Sequence, residues 1–213
     1  MDKKQNWHSF FLPNIFLYET KLSDDVINRL WSYIEKAENK VNHVLAGNIT
    51  SSYDLVDEDD YFFNKILKPV SHTYVSENSN VNYFQSNHEV VTKKENLDLC
   101  LGKFWVNNQY KHEFNPMHTH SGVLSFVIWL KIPTNWEDQH NLPIAKNSNS
   151  PSVSDFSFAY TDILGNIQSY KIQLSPKDNG LMVIFPSSLN HEVYPFYNCD
   201  EERVSISGNI YHK

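Results

Sequence analysis

From about residue 97 onward the chain reads as one short strand after another, with no helical interval between them. Leu97–Val106, Val123–Ile132, Asp155–Tyr160, Ile167–Leu174, Leu181–Phe185, Glu192–Phe196 and Val204–Tyr211 are β-branched or aromatic, and polar or Pro/Gly punctuation separates them. Strands that follow one another without crossover helices pair antiparallel, and they bury their apolar faces by closing into a sandwich or barrel. Asp162–Asn166 (Asp-Ile-Leu-Gly-Asn) is a hairpin turn, and Lys146–Ser154 is a Ser- and Asn-rich polar loop expected to be mobile. The expectation is a mainly β chain: a jelly-roll core over 97–213 behind a helix-rich part over 1–96.

The first part has a different rhythm. Residues 10–21 suggest a strand with Pro13 near its start. Ser23-Asp24-Asp25 then offers an N-cap oxygen and first-turn acids to a helix over about 24–39. Val26, Ile27, Leu30, Trp31 and Ile34 give that helix one apolar face. Residues 41–56 read as loop. A second helix is expected over about 58–76, with Pro69 able to kink or split it. A length of 213 residues is consistent with one domain spanning 1–213, its helices packed on the barrel.

Charge and cysteine usage narrow the function classes. The formal charge is −7, and the one dense basic spot, Lys93-Lys94, is followed at once by Glu95. A nucleic-acid backbone is therefore not the expected partner, because phosphate binding needs clustered cations. Asp57–Asp60 reads as a solvated helix cap before it reads as a docking site for a basic peptide. Cys100 and Cys199 form no pattern and suit a reducing compartment. The N-terminal residues lack a signal-peptide core, and no apolar run approaches the roughly 20 residues that span a bilayer. A cytoplasmic location away from membranes is expected.

The chemistry concentrates in a few positions. His118 and His120 lie one residue apart, and a strand alternates faces with period two, so both can point the same way. An isolated histidine on a sheet is more often a hydrogen-bonded residue than a ligand. Two imidazoles aimed into one site, however, repel when protonated unless something such as a metal ion holds them neutral. His191 follows the apolar run Gly180–Phe185 as a third ligand on a short turn, and Arg203 and Ser205 share a strand face a dozen residues later. A guanidinium offers two parallel donors to a carboxylate, and a hydroxyl can add another. The pattern suggests a metal centre beside an anion pocket.

These residues resemble a family. Trp105-Val-Asn107, His118-Thr-His120, Ser125, Pro133, Pro176, Gly180, Phe185-Pro-Ser187, His191, Val193, Pro195 and Arg203-x-Ser205-x-Ser207-x-Asn209 are similar, in order and spacing, to 2-oxoglutarate/Fe(II) oxygenases that carry His-x-His in place of His-x-Asp. The likeness covers roughly residues 100–211. It implies a double-stranded β-helix, with His118, His120 and His191 as metal ligands and catalytic residues. It also implies Fe(II), 2-oxoglutarate held by Arg203 and Ser205, dioxygen, and ascorbate as a reductant. The reaction implied is hydroxylation of a peptide or prolyl side chain or of a small metabolite.

Two departures stand out. The commoner triad is two histidines and a carboxylate. A neutral imidazole at position 120 leaves the iron its full double-positive charge until the dianionic cosubstrate arrives. His120 could instead stand one shell out, with water in its place. Where the family tends to carry a Tyr after Ser125, this chain has Phe126 and Trp129. Any tyrosine hydroxyl on the cosubstrate must then come from elsewhere, Tyr110 and Tyr160 being the two options. The alternatives to this assignment are a three-histidine cupin-type dioxygenase that needs no 2-oxoglutarate, and a non-catalytic β-barrel that merely holds metal.

Overall fold

The structure is a computed structural model, and it describes residues 14, 16–77, 85–86, 89–90 and 98–213. Twelve strands among the described residues are β1 (Tyr18–Lys21), β2 (Ser52–Asp54), β3 (Gln85–Ser86), β4 (Glu89–Val90), β5 (Leu99–Gln109), β6 (Asn115–His118), β7 (Leu124–Lys131), β8 (Phe156–Thr161), β9 (Ile167–Ile172), β10 (Leu181–Pro186), β11 (Asn190–Val193) and β12 (Arg203–His212). A six-stranded antiparallel sheet runs β1-β10-β7-β12-β5-β2, and a four-stranded one runs β6-β11-β8-β9. From β5 to β12 the chain passes back and forth between these sheets, which is the interleaving of a double-stranded β-helix. The expected jelly roll is therefore present.

The helical elements lie on the outside of the larger sheet. Helix α1 (Asp24–Glu35) buries Val26, Leu30 and Tyr33. Ser23 stands at its N-cap position, but its hydroxyl donates to Asp25 and makes no cap bond to the backbone. The second helical stretch is capped from within the Asp57–Asp60 run, as its sequence suggests. Asp57 accepts the Phe62 and Phe63 N–H groups at 2.8 and 2.7 Å, which satisfies two donors that the first turn cannot pair internally. Next comes a π-helical turn, Phe63–Leu67, and then α2 (Lys68–Glu77). Pro69 carries no N–H, and the wider turn just before it is where the hydrogen-bond register changes, so the helix shifts register without breaking.

The period of two in the strands sorts side chains into two apolar clusters. Phe104, Val106, Leu124, Phe126, Ile128, Ile184, Ile206 and Ile210 point outward and pack with Leu30, Tyr33, Phe62, Leu67 and Tyr74 of the helices. Phe62 stacks on Phe104 at 5.9 Å and meets Phe126 edge-on at 5.8 Å. Gly208 leaves room for this arrangement, because a β-carbon there would lie 2.6 Å from the Phe126 ring. Val127, Trp129, Val183 and Phe185 point the other way and meet Phe156, Phe158 and Leu189 between the sheets. Strand β7 is thus buried on both faces, which explains its unbroken apolar run.

Several boundaries differ from the sequence reading. Within 10–21 only Tyr18–Lys21 is strand; residues 10–13 and 15 lie outside the described residues, as does Leu97. The expected loop over 41–56 contains β2, which adds an edge strand beside β5. Strand β11 begins at Asn190, two residues before the expected start, so His191 belongs to a strand and not to the turn before one. The 146–154 loop is anchored at its end: Lys171 donates to the Ser150 and Pro151 carbonyls at 3.1 and 2.8 Å, and Ser154 is fully buried. Among the described residues no helix is long and apolar enough to cross a membrane.

Candidate metal centre and acid pocket

Strands β6 and β11 are antiparallel neighbours, and His118 stands directly opposite His191. Cross-strand partners hold their β-carbons about 5 Å apart, so pairing alone brings two imidazoles together. Their ring centroids are 4.3 Å apart. His120 arrives differently from the strand-alternation argument. Strand β6 ends at His118, and His120 lies past that end, fixed by its N–H to the Ser187 carbonyl at 2.8 Å. Its ring lies 4.9 Å from each of the other two. One ligand nitrogen from each of the three residues fits within a spread of 4.8 Å.

Hydrogen bonds fix which nitrogen faces inward. His118 Nδ1 lies 2.7 Å from the Pro116 carbonyl and His191 Nδ1 lies 2.9 Å from the Leu189 carbonyl. A carbonyl only accepts, so both Nδ1 atoms carry a proton, which leaves Nε2 as the nitrogen of each ring available to a metal. His191 Nε2 lies 3.2 Å from His120 Nε2. Burial, then the His118 charge, pulls His120 down to about 4, and burial, with both neighbouring imidazoles adding to it, pulls His191 down to about 3. With His120 and His191 kept neutral by burial and all three rings converging, the cluster forms a donor set suited to a borderline cation such as Fe(II). Phe156 stacks on the His191 ring at 5.7 Å and 14°, Phe185 meets it at 5.0 Å, and Trp105 flanks His120 at 5.7 Å.

The short connection between β10 and β11 supports two of these histidines at once, His120 by its main chain and His191 by its ring. Its Ser187 carbonyl holds His120, its Leu189 carbonyl holds His191, and the Ser187 hydroxyl accepts from Ser125 at 3.0 Å. Ser125 and Ser187 are both buried.

Strand β12 supplies the acid pocket. Its outward face is Val204, Ile206 and Ile210, while Arg203, Ser205 and Ser207 line the same cleft as the three histidines. Arg203 is 1% exposed, and burial pushes its guanidinium down to about 10 against the opposing pull of Asp155. Nη2 donates to the Ser154 carbonyl at 2.9 Å and to the Ser154 hydroxyl. Nε and Nη1 are buried without a hydrogen-bond partner. Buried cationic donors left open are costly. Their presence in a cleft beside a histidine cluster fits a site built for an incoming carboxylate. All five residues singled out in the sequence, His118, His120, His191, Arg203 and Ser205, therefore border one cleft.

Neither tyrosine considered from the sequence reaches it. Tyr110 is 41% exposed, and Tyr160 borders a separate groove with Tyr170 and Ile172. Trp129 occupies the cleft wall instead, and the polar groups there are Ser52, Asn107, Gln109, Asn115 and Ser207. Asn107 accepts from Ser52 at 2.7 Å and Gln109 donates to the Glu113 carbonyl at 2.7 Å. Period two from Trp105 would have placed Asn107 and Gln109 on the inner face; the sequence reading ended β5 too early to use that signal. Gly47 closes the rim, because a β-carbon there would lie 1.7 Å from Asn115 Oδ1.

The family model "Putative 2OG-Fe(II) oxygenase" matches residues 103–209, half of the chain. The chain belongs to this 2OG-Fe(II) oxygenase family. It is an oxygenase of the class that uses ferrous iron and 2-oxoglutarate, as the resemblance implied. Solved structures agree on the fold. A prolyl-4-hydroxylase from Pseudomonas putida is similar with a TM-score of 0.53 at 13% identity, over 93% of this chain and 94% of that one. A Trichoplax adhaerens prolyl hydroxylase, in complex with a hypoxia inducible factor oxygen degradation domain peptide fragment, gives 0.50 at 13%, over 92% and 82%. HygX from Streptomyces hygroscopicus, with nickel, 2-oxoglutarate and hygromycin B bound, gives 0.52 at 8%, over 93% and 84%. No curated protein matches the 2OG-Fe(II) oxygenase chain in sequence.

Proposed function

We propose that this oxygenase is a hydroxylase in which His118, His120 and His191 hold ferrous iron through their inward nitrogens, while Arg203 and Ser205 receive the far carboxylate of 2-oxoglutarate. The observation that carries the reading is the pairing of a convergent three-imidazole set with a buried guanidinium that has two donors open. A three-histidine cupin-type dioxygenase would have no use for that guanidinium. When bound, the iron and cosubstrate supply the oxidising power: dioxygen, 2-oxoglutarate and a substrate C–H become succinate, carbon dioxide and C–OH, with ascorbate keeping the metal reduced.

The chain's own residues provide binding, orientation and dryness. The Pro116 and Leu189 carbonyls hold the His118 and His191 rings in one tautomer, which fixes their aim. Trp129, Phe156 and Phe185 wall the cleft and exclude water. Among the described residues, Arg203 is the one Lys, Arg, Asp or Glu that borders it. An uncharged C–H-bearing group suits such a lining. A prolyl side chain of a peptide is the preferred substrate, with an uncharged stretch of a small metabolite as the second reading; the prolyl hydroxylases and HygX among the similar folds support the two in turn.

The test is 2-oxoglutarate turnover. With Fe(II), ascorbate and dioxygen the chain should release succinate, slowly alone and faster with a proline-containing peptide. Absence of 2-oxoglutarate binding to the metal-loaded protein would sink the assignment. Stimulation by an uncharged metabolite and not by proline peptides would shift it to the second reading.

A further inference from the structure

A guanidinium grips a carboxylate with two parallel N–H groups along either of two edges, Nε with Nη2 or Nη1 with Nη2. Nη2 belongs to both edges. In this chain Nη2 is taken, since the Ser154 carbonyl and hydroxyl both accept from it. The donors left open, Nε and Nη1, share no edge. The parallel fork expected from the sequence is therefore unavailable to a ligand.

Ser154 holds this place under strain. Its φ is +73°, a region that a serine adopts only when its surroundings force it, and it is 0% exposed. The surroundings are specific. Ser154 N–H donates to the Pro195 carbonyl at 3.0 Å and Asp155 N–H to the Ser152 carbonyl at 3.0 Å. The Asp155 carbonyl accepts from Tyr194 N–H at 3.0 Å, and the Asp155 carboxylate takes His140 Nε2 at 2.9 Å. With its Oγ accepting from Arg203, Ser154 has its own hydroxyl hydrogen free to face Thr134 Oγ1 at 3.4 Å.

We propose that Ser154 is a positioning residue of the acid pocket, one that occupies Arg203 Nη2 and so leaves an incoming carboxylate a mixed grip of a single guanidinium N–H and the hydroxyls of Ser205 and Ser207. The three β12 residues alternate onto one wall of the cleft, so the hydroxyls lie along the same line as the guanidinium. The inference rests on the acid-pocket reading above and adds the side chain that aims it.

Calorimetric titration of glutarate and of 2-oxoglutarate into the full chain, loaded with Mn(II) and kept from dioxygen, tests it. Glutarate has no keto group and reads the acid pocket apart from the metal. Ser154→Gly and Ser154→Ala both lose the hydroxyl, but only the alanine keeps a side chain at a positive φ. Both keep the Ser154 carbonyl on Nη2 but lose the hydroxyl that fixes the aim of the guanidinium, so both should weaken glutarate and 2-oxoglutarate alike, by about tenfold. They should differ in melting temperature, with glycine the more stable. The Ser205→Ala/Ser207→Ala double variant should weaken glutarate as well. The inference is overturned if either Ser154 variant binds glutarate as wild type does or more tightly, if affinity loss follows the melting temperature, or if the double variant binds normally. Arg203→Ala separates the two levels. Unweakened glutarate binding there, or none in wild type, would end the acid pocket itself and this inference with it; loss in Arg203→Ala beside unchanged Ser154 variants would end only this inference.

Discussion

The two faces of the larger sheet are made from the same strands and do opposite work. Outward, Val204, Ile206 and Ile210 of β12 pack in one apolar cluster with Phe62, Leu67 and Leu30. Inward, Arg203, Ser205 and Ser207 of that strand face a cleft where two guanidinium nitrogens are buried and unpaired. Apolar burial on one side offsets the desolvation the other side bears. The fold can carry an unfavourable site because one residue of register separates it from the packing that stabilises it.

Substitutions on the two faces should therefore fail in different ways. The largest effect is expected inside: His118→Ala or His191→Ala should abolish 2-oxoglutarate-dependent succinate release while circular dichroism still reports a folded β chain. Wild-type-like turnover in either would break the three-imidazole reading. Outside, Phe62→Ala should cost about 3–5 kcal/mol of stability in urea unfolding, because it empties a site between Phe104 and Phe126. Its affinity for 2-oxoglutarate, measured well below the transition, should stay near wild type. Arg203→Ala should raise the 2-oxoglutarate requirement steeply, a ligand carboxylate losing its cation at a cost of several kcal/mol, on the order of 2–5.

Acidity gives the finest discrimination. His120 and His191 titrate near 4 and near 3 in the folded chain, against an ordinary value near 6.5. Between those limits the unfolded chain binds more protons, so stability rises with pH. Metal-free protein should hold its full stability above pH of about 6.5 and lose it progressively below, each group adding a slope of up to about 1.4 kcal/mol per pH unit. His191→Gln should flatten that slope, and Phe62→Ala should lower the whole curve without changing its shape. A slope unchanged in His191→Gln would place the acid sensitivity elsewhere.

Much of this was legible beforehand, and the gaps have physical causes. The β core, the outer helices and the five cleft residues follow from local pattern, because apolar period and residue chemistry are properties of neighbours in sequence. The alternation argument puts a strand through His118 and His120, whereas β6 ends at His118 and runs back through Asn115, Pro116 and Met117, which carry no strand signal and are extended because β11 pairs with them. His120 converges through a long-range bond to Ser187, not through the alternation that suggested it. Ser154 sat in a stretch read as mobile, and its grip on Arg203 joins residues 49 positions apart. Among the described residues no tyrosine lines the cleft in place of the one missing after Ser125, because Trp129 fills that wall and Tyr110 and Tyr160 face elsewhere.

The connection from β10 to β11 has a wider consequence. Since Ser187 braces the His120 main chain and Leu189 the His191 ring, those two residues are mounted on a common bracket, while the His118 ring is mounted on another, the Pro116 carbonyl. A change in the main-chain path of that bracket would misalign two ligands in a single stroke, whereas truncating the Ser187 side chain would leave its carbonyl brace on His120 in place.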